Sequence, residues 1–86
     1  MGLIGISSLE LIGSSQAMLG GRVFEGSVHV GDLVSDDVSK VSDTVMKIRA
    51  YGRDIDEVPS GMSAGFVVGV EFAKHITLGA VLRVGS

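Results

Sequence analysis

The stretch GRVFEGSVHVGDLV, residues 21–34, carries the clearest turn and strand pattern of the sequence. Valines separate three glycines that lie five residues apart, and these are Gly21, Gly26 and Gly31. Glycine and aspartate are typical of tight turns, whereas valine favours strands. The stretch therefore predicts short strands with turns at residues 25–26 and 31–32, in the form of a β-hairpin that enters a small barrel.

Alternation of apolar and polar residues extends the β prediction along the chain. Thirteen glycines and a single proline interrupt Val-rich segments, which is typical of the turns and bulges of an all-β fold. Residues 44–51 place Met46 and Ile48 on one face of a strand and Lys47 and Arg49 on the other. Strands are predicted at residues 9–12, 17–25, 27–30, 33–35, 44–51, 65–70 and 80–84.

The remaining segments complete a one-domain prediction for residues 1–86. Residues 35–43 are polar and acidic and predict an exposed hairpin or loop, and residues 54–61 predict a turn. So many strands in a short chain favour an all-β, small closed barrel of six or seven strands, because closure removes exposed edges. The predicted core contains Val23, Met46, Ile48, Phe66 and Val68.

Composition limits the functions that the chain can have. Its 86 residues carry seven basic and ten acidic side chains, a net charge of −3, so binding to nucleic acid would need a local basic patch. The chain has no cysteine, which removes disulfides, thiolate catalysis and the usual zinc sites. No uncharged apolar run approaches the ~18 residues of a membrane span, so we expect a cytoplasmic protein without membrane contact.

The serine pairs and the glycine-rich segments do not match the motifs of catalysis or nucleotide binding. No G-x-S-x-G nucleophile elbow surrounds residues 7–8 or 14–15, and the chain has no G-x-x-x-x-G-K-[ST] phosphate loop. His29 and His75 stand apart from other metal-ligand residue types, and the carboxylates of residues 36–37 and 54–57 lie in polar segments that water reaches. We therefore expect no enzyme activity, no cofactor, no metal and no GTP binding by this chain alone.

The pattern of residues 21–34 can be written G-x-V-x-x-G-x-V-x-x-G-D-x-V, and it resembles the hairpin that opens the second-domain β-barrel of translational GTPases such as elongation factor Tu. Residues 3–12, 56–70 and 76–84 resemble the first strand, the acidic turn with the inner strand, and the final strand of that barrel. Residues 50–66 also look similar to the C-terminal barrel of bacterial translation initiation factor two. The resemblance covers nearly the whole chain and implies a barrel of this type.

The family's ligand-binding residues are not kept at the matching positions. In elongation factor Tu, this barrel holds the terminal adenosine of tRNA with an acidic residue and an asparagine, and the resemblance places Arg49 and Ser63 at those positions. It places Glu10 and Ser8 where the first strand of the family has an aromatic and an acidic residue. The resemblance therefore supports the fold and leaves the ligand open.

Arg49, Tyr51 and Arg53 form the candidate binding site, because the predicted strand puts them on one face. Arginines interleaved with an aromatic ring can pair with RNA phosphates and stack on bases. They can equally form a solvated face whose arginines pair with nearby acids such as Asp54. The acidic balance favours a non-enzymatic protein-interaction or scaffold module with a protein partner. The alternative is a module that binds tRNA or rRNA through these three residues.

Overall fold

A curled sheet of strands surrounds the core of the protein in the computed structural model, which describes residues 2–85. The elements are β1 Gly2–Leu11, β2 Gln16–Glu25, β3 Ser27–His29, β4 Leu33–Asp36, β5 Val41–Thr44, β6 Lys47–Ala50, β7 Arg53–Ile55, β8 Glu57–Pro59, β9 Ser63–Gly69, α1 Val70–Ala73 and β10 Val81–Val84. The prediction of a β-rich fold is confirmed, with one helical turn that the sequence did not predict. No helix within residues 2–85 has the length and apolar character to cross a membrane.

Eight strands form the large sheet in the order β5-β4-β10-β1-β2-β9-β6-β7, and β3 pairs with β8 in a separate ribbon. All these pairings are antiparallel. The predicted closed barrel of six or seven strands is not confirmed. In the described part of the chain, β5 and β7 end the large sheet and do not pair with each other.

The core lies on the concave face of the large sheet, where the central strands bury alternate residues. Phe66 of β9 has Leu19 of β2 as its cross-strand neighbour on one side and Ile48 of β6 on the other, and all three side chains are buried. Of the predicted core residues, four are buried: Val23, Ile48, Phe66 and Val68. Each such side chain stabilises the fold by about 1.5–3 kcal/mol through the apolar area that it removes from water.

Met46 is the predicted core residue that the structure places at the surface. Its side chain is 40% exposed, whereas the preceding Val45 is buried. The chain bends between β5 and β6, where the Val45 N–H donates to the carbonyl oxygen of Asp32 at 2.9 Å. The alternation over residues 44–51 predicted one continuous strand, whereas the bend puts Val45 inward before it and leaves Ile48 inward after it.

Two predicted boundaries were wrong, for identifiable reasons, and one open alternative is resolved. β1 starts at Gly2 and not at residue 9, because glycines alternate with the buried Ile4 and Ile6 and weaken the strand pattern. The predicted turn at residues 54–61 contains β8 and two of the three residues of β7, since three-residue strands are too short to show alternation. The hairpin alternative for residues 35–43 is confirmed by the β4–β5 pairing.

The glycines of residues 21–34 have two different roles, and the stretch does not form a hairpin. β3 pairs with β8, whereas β4 pairs with β10 and β5. Gly26 and Gly31 have φ values of +72° and +95°, a backbone conformation that favours glycine. Gly21 instead permits close approach, because a Cβ atom there would collide with the carbonyl oxygen of Gly5 in β1.

Asp36 is a buried carboxylate at the start of the β4–β5 turn. Its Oδ2 atom accepts hydrogen bonds from the Ser39 hydroxyl at 2.6 Å and from the Ser39 N–H at 3.1 Å. The Ser39 hydroxyl has the largest effect on the pKa of Asp36. Together with the backbone N–H groups of Ser39 and Val38, it outweighs burial and lowers that pKa below its ordinary value of 3.8.

Asp36 should therefore make the free energy of unfolding depend on pH in the acid range. A lowered folded-state pKa contributes stability that is fully present above the unfolded value, about 3.9, and is lost as pH falls through the folded value. Urea denaturation of Asp36→Asn should show a smaller loss of stability below about pH 4 than the wild type. Asp37→Asn, at the exposed neighbour that pairs with Arg83, is the control. An unchanged acid dependence in Asp36→Asn would contradict this role.

Candidate ligand-binding cleft

A cleft of about 670 Å³ lies on the outer, convex face of the large sheet. Side chains alternate along each strand, so the outward residues of neighbouring strands form rows across the sheet. One row consists of Arg49, Gly65 and Gly20, in β6, β9 and β2. The next row consists of Ser63, Arg22, Gly5 and Val81, in β9, β2, β1 and β10. All of these residues line the cleft.

Glycines in the floor of the cleft let neighbouring side chains lie close against the sheet. The Phe24 ring lies over Gly5, and the Met18 side chain lies over Gly65, in the space that a Cβ atom would otherwise occupy. Gly20 is covered in the same way by the hydroxyl of Ser8. Larger residues at Gly5 or Gly65 would therefore displace the side chains that shape the cleft.

Two aromatic side chains border the cleft at opposite ends. Phe24 is 57% exposed and packs on β1, whereas Tyr51 is 85% exposed and follows β6 directly. Phe24 belongs to β2 but covers β1, which is three strand positions from β6 in the sheet. A ring is therefore available for stacking on each side of the cleft.

Tyr51 has an unfavourable backbone conformation. It is the first residue of the two-residue β6–β7 turn, with φ +55°, and Gly52 follows with φ +76°. Positive φ at both positions is typical of a type I′ turn, which favours Asn-Gly. A tyrosine here is strained and is also largely exposed, so neither turn preference nor packing explains it. Such strain makes Tyr51 a candidate functional residue.

Tyr51→Asn should raise the free energy of unfolding by up to about 1 kcal/mol, because asparagine tolerates the left-handed conformation better than tyrosine. Urea denaturation followed by circular dichroism measures the change. Tyr51→Ala is the control, since it removes the ring and keeps a residue with a Cβ penalty at positive φ. A Tyr51→Asn variant less stable than the wild type would show that the ring supports the fold.

The polar groups of the cleft are cationic or neutral. Arg22 and Arg49 supply positive charge, and Ser7 and Ser63 supply hydroxyl groups. Among residues 2–85, no Asp or Glu lines the cleft. Arg49 Nε lies 3.2 Å from Asp54 Oδ1, but both side chains are more than half exposed, so the ion pair contributes little stability and a ligand can compete for the arginine.

The structure brings together two of the three predicted site residues. Arg49 and Tyr51 line the cleft, but Arg53 does not. Arg53 lies opposite Ala50 in the β6–β7 pair, whereas Arg49 lies opposite Asp54, so the two arginines belong to different faces. The predicted single face is wrong because the turn at residues 51–52 interrupts the strand.

Sequence reasoning missed Arg22 and Phe24, which lie within residues 21–34. In β2 they alternate with the buried Val23, so the period-two pattern alone places them on the outer face. Ser63 and Arg49, which the sequence resemblance placed at two ligand-binding positions of elongation factor Tu, lie in the same cleft. Glu10 lies opposite Met18 and is not among the described lining residues.

The two histidines lie outside the cleft. His29 Nε2 is 3.2 Å from Glu57 Oε2, and His29 Nδ1 is 3.7 Å from Asp32 Oδ2, so the two carboxylates lie at different ring nitrogens. His75 is exposed in the turn after α1. No group of three or more His, Asp or Glu side chains in the described part of the chain is arranged to hold a metal ion.

Comparison with known proteins identifies the fold. No protein-family model and no curated protein matches the sequence. Among solved structures, the chain is similar to translation elongation factor SelB from Methanococcus maripaludis, in its apo form and in complex with the GTP analogue GppNHp. Each has a TM-score of 0.84 and 21% identity, over 99% of this chain and 19% of that chain.

Bacterial selenocysteine-specific elongation factor EF-Sec is similar as well, with a TM-score of 0.82 and 23% identity over 94% of this chain. The chain therefore has the fold of a translation-factor β domain, as its sequence predicted. It spans only 14% of the length of EF-Sec and 19% of the length of SelB.

Proposed function

We propose that the chain is a non-enzymatic binding module of the translation-factor type and that its outer-face cleft binds the end of a single-stranded RNA. The observation that carries this proposal is the composition of the cleft. Two exposed aromatic rings and two arginines surround a glycine floor, and the described lining contains no carboxylate. Stacking on aromatic rings combined with cationic contacts to phosphates is the usual chemistry of single-strand recognition.

The local charge of the cleft outweighs the acidic balance of the whole chain at close range. Sequence composition favoured a protein partner because the net charge is −3. Screening at physiological salt limits surface electrostatics to about 8 Å, so the arginines of the cleft act on a bound ligand more strongly than distant acids do. The geometry thus favours the RNA alternative for this site.

The sequence resemblance matches Arg49 to an acidic residue of elongation factor Tu, and this difference changes what the cleft can recognise. A carboxylate accepts hydrogen bonds from ribose hydroxyls, whereas a guanidinium donates to phosphate oxygens or stacks on a base. Arg49 and Arg22 therefore suit the phosphate of the terminal nucleotides, and Tyr51 and Phe24 suit their bases. Ser63 can donate to or accept from either group.

The absence of enzyme activity is part of the proposal. The serines of the cleft, Ser7 and Ser63, would need a neighbouring base to act as nucleophiles. Within residues 2–85, no His, Asp or Glu lines the cleft to provide one. Binding without chemistry is the simplest use of such a site.

A protein partner is the second candidate, and it is favoured by a different surface. Leucines at the end of β1 are exposed outside the cleft, where an apolar partner could cover them: Leu9 and Leu11. The two candidates do not exclude each other, because the described lining of the cleft does not include these leucines.

Fluorescence anisotropy with a labelled single-stranded RNA that ends in adenosine tests the RNA proposal. We expect micromolar binding that weakens with salt. Tyr51→Ala should lose about 1–3 kcal/mol, roughly 5- to 150-fold in affinity, through loss of stacking. Arg49→Ala should also reduce the slope of log affinity against log salt concentration by about 0.7, the value for one phosphate contact.

Arg53→Ala is the matched control, because Arg53 lies on the same hairpin and outside the cleft. It should bind RNA like the wild type. Equal losses in Arg49→Ala and Arg53→Ala, or no detectable binding by the wild type, would contradict the proposal.

A further inference from the structure

The outer edge of β1 changes its neighbour along the strand. β10 pairs with the first part of β1, from Gly2 to Gly5. Ile6 then exchanges hydrogen bonds with the turn that precedes β10. Its N–H donates to Ala80 O at 2.9 Å, and its carbonyl oxygen accepts from Gly79 N–H at 2.7 Å. Beyond this point, over residues 8–11, β2 is the only strand among residues 2–85 that pairs with β1.

The hydrogen-bond pattern identifies the backbone groups at this edge. The Ile12 N–H donates to Gln16 O at 3.1 Å, so these two residues form a bonded pair at the end of the β1–β2 hairpin. Bonded and non-bonded pairs alternate in an antiparallel ladder. Glu10 therefore bonds to β2, and the N–H and C=O groups of Leu9 and Leu11 point away from it.

The side chains at this edge are apolar and accessible. Leu9, Leu11 and Ile12 are 37%, 63% and 40% exposed. Leu9 and Leu11 lie opposite Leu19 and Ala17, whose side chains are buried, so they are on the core-facing side of the sheet. A strand added at this edge would extend both the sheet and the core, and proteins usually cover such edges.

A second copy of the chain fits this edge poorly. Antiparallel pairing of two β1 edges, with Leu9 bonded to Leu11 of the other copy, puts Glu10 directly opposite its symmetry mate. Like charges in that position are destabilising. A shift by two residues would bring in Ser7, at the bulge next to Ile6, or Gly13, which has φ +135° and lies outside the strand.

We propose that the free edge of β1 binds an extended segment of a partner protein that has a lysine or arginine between two apolar residues. The added strand runs antiparallel to β1 and accepts and donates at the backbone of Leu9 and Leu11, in the mode of β-augmentation. Its basic residue lies opposite Glu10 on the outer face, and its apolar residues cover the two leucines. This inference rests on the second candidate function and is independent of RNA binding in the cleft.

The blocked peptide Ser-Thr-Val-Lys-Val-Thr-Ser and its matched control with glutamate in place of lysine test the edge. We expect the lysine peptide to shift the amide NMR signals of Leu9 and Leu11 and to slow their hydrogen exchange. The control should bind about fivefold more weakly, because glutamate would face Glu10. The Glu10→Lys variant, at an exposed position, should reverse the preference, and its amide spectrum reports whether the fold is kept.

Three results would overturn the proposal: no protection of the Leu9 and Leu11 amides by the lysine peptide, equal binding of the two peptides, or an unreversed preference in a folded Glu10→Lys variant. The peptides do not test the cleft, so a negative result with them leaves the proposal of RNA binding unchanged.

Discussion

Ile48→Ala should lower the free energy of unfolding by about 2–5 kcal/mol, which is a large share of the 5–15 kcal/mol typical of a whole domain. Ile48 is fully buried in β6 and has Phe66 and Ile55 as its cross-strand neighbours on the two sides. Its truncation leaves a cavity that two strands cannot close without moving. Urea denaturation followed by far-ultraviolet circular dichroism measures the loss.

Met46→Ala is the matched control for this prediction. Met46 was expected on the same face as Ile48, and the structure exposes it after the bend at Val45. Its truncation should lower the free energy of unfolding by less than about 1 kcal/mol. Equal losses at the two positions would place Met46 in the core and contradict the bend between β5 and β6.

Gly21→Ala is the second large effect, because the added methyl group meets backbone. A Cβ atom at Gly21 would collide with the Gly5 carbonyl oxygen and would lie 3.1 Å from Ile4 Cγ2. β1 and β2 form the most central pairing of the large sheet, and neither strand can yield locally. We expect a loss of about 3 kcal/mol or more in the free energy of unfolding, at the upper end of overpacking effects.

Gly20→Ala is the control at the neighbouring residue. A Cβ atom at Gly20 would meet the hydroxyl of Ser8, which can rotate away. We expect a clearly smaller loss of stability than for Gly21→Ala, measured in the same denaturation experiment. If Gly21→Ala were as stable as the wild type, the close approach of β1 and β2 would be wrong.

The fold was predictable because its main strands have long enough alternation and because its glycines resemble those of a known barrel. Val23, Phe66 and Val68 are buried as the period-two pattern requires. β8 was not predictable in this way, because only Val58 of its three residues is buried, and its position depends on pairing with β3. Local pattern carries no information on such long-range pairing.

The cleft was only partly predictable, because it depends on which strands are neighbours. Arg49 and Tyr51 stood out as a charged residue and an aromatic residue close together in sequence. Arg22 and Phe24 approach them only because β2 and β6 both pair with β9. Arg53 was assigned to the same face because the alternation was carried through residues 51–52, where two residues with positive φ reverse the chain.

The cleft and the free edge of β1 differ in the residues on which they depend. In the cleft, the positive φ of Tyr51 is expected to lower the stability of the fold, and the ring of Tyr51 is largely exposed to water. The edge of β1 retains exposed leucines with Glu10 between them, and this charge disfavours pairing of β1 with a second copy. Each surface can therefore be altered by a single substitution at an exposed position without disturbing the core.

Amide NMR of the labelled domain during titration with the adenosine-terminated RNA tests RNA binding in the cleft, since it locates the ligand. We expect the signals of Gly20, Gly65 and Ser63 to shift together and to saturate at micromolar RNA, while those of the β3–β8 ribbon stay unchanged. The Tyr51→Ala variant should require much more RNA for the same shifts. Saturating shifts confined to residues outside the cleft, or no shifts at all, would contradict RNA binding in the cleft.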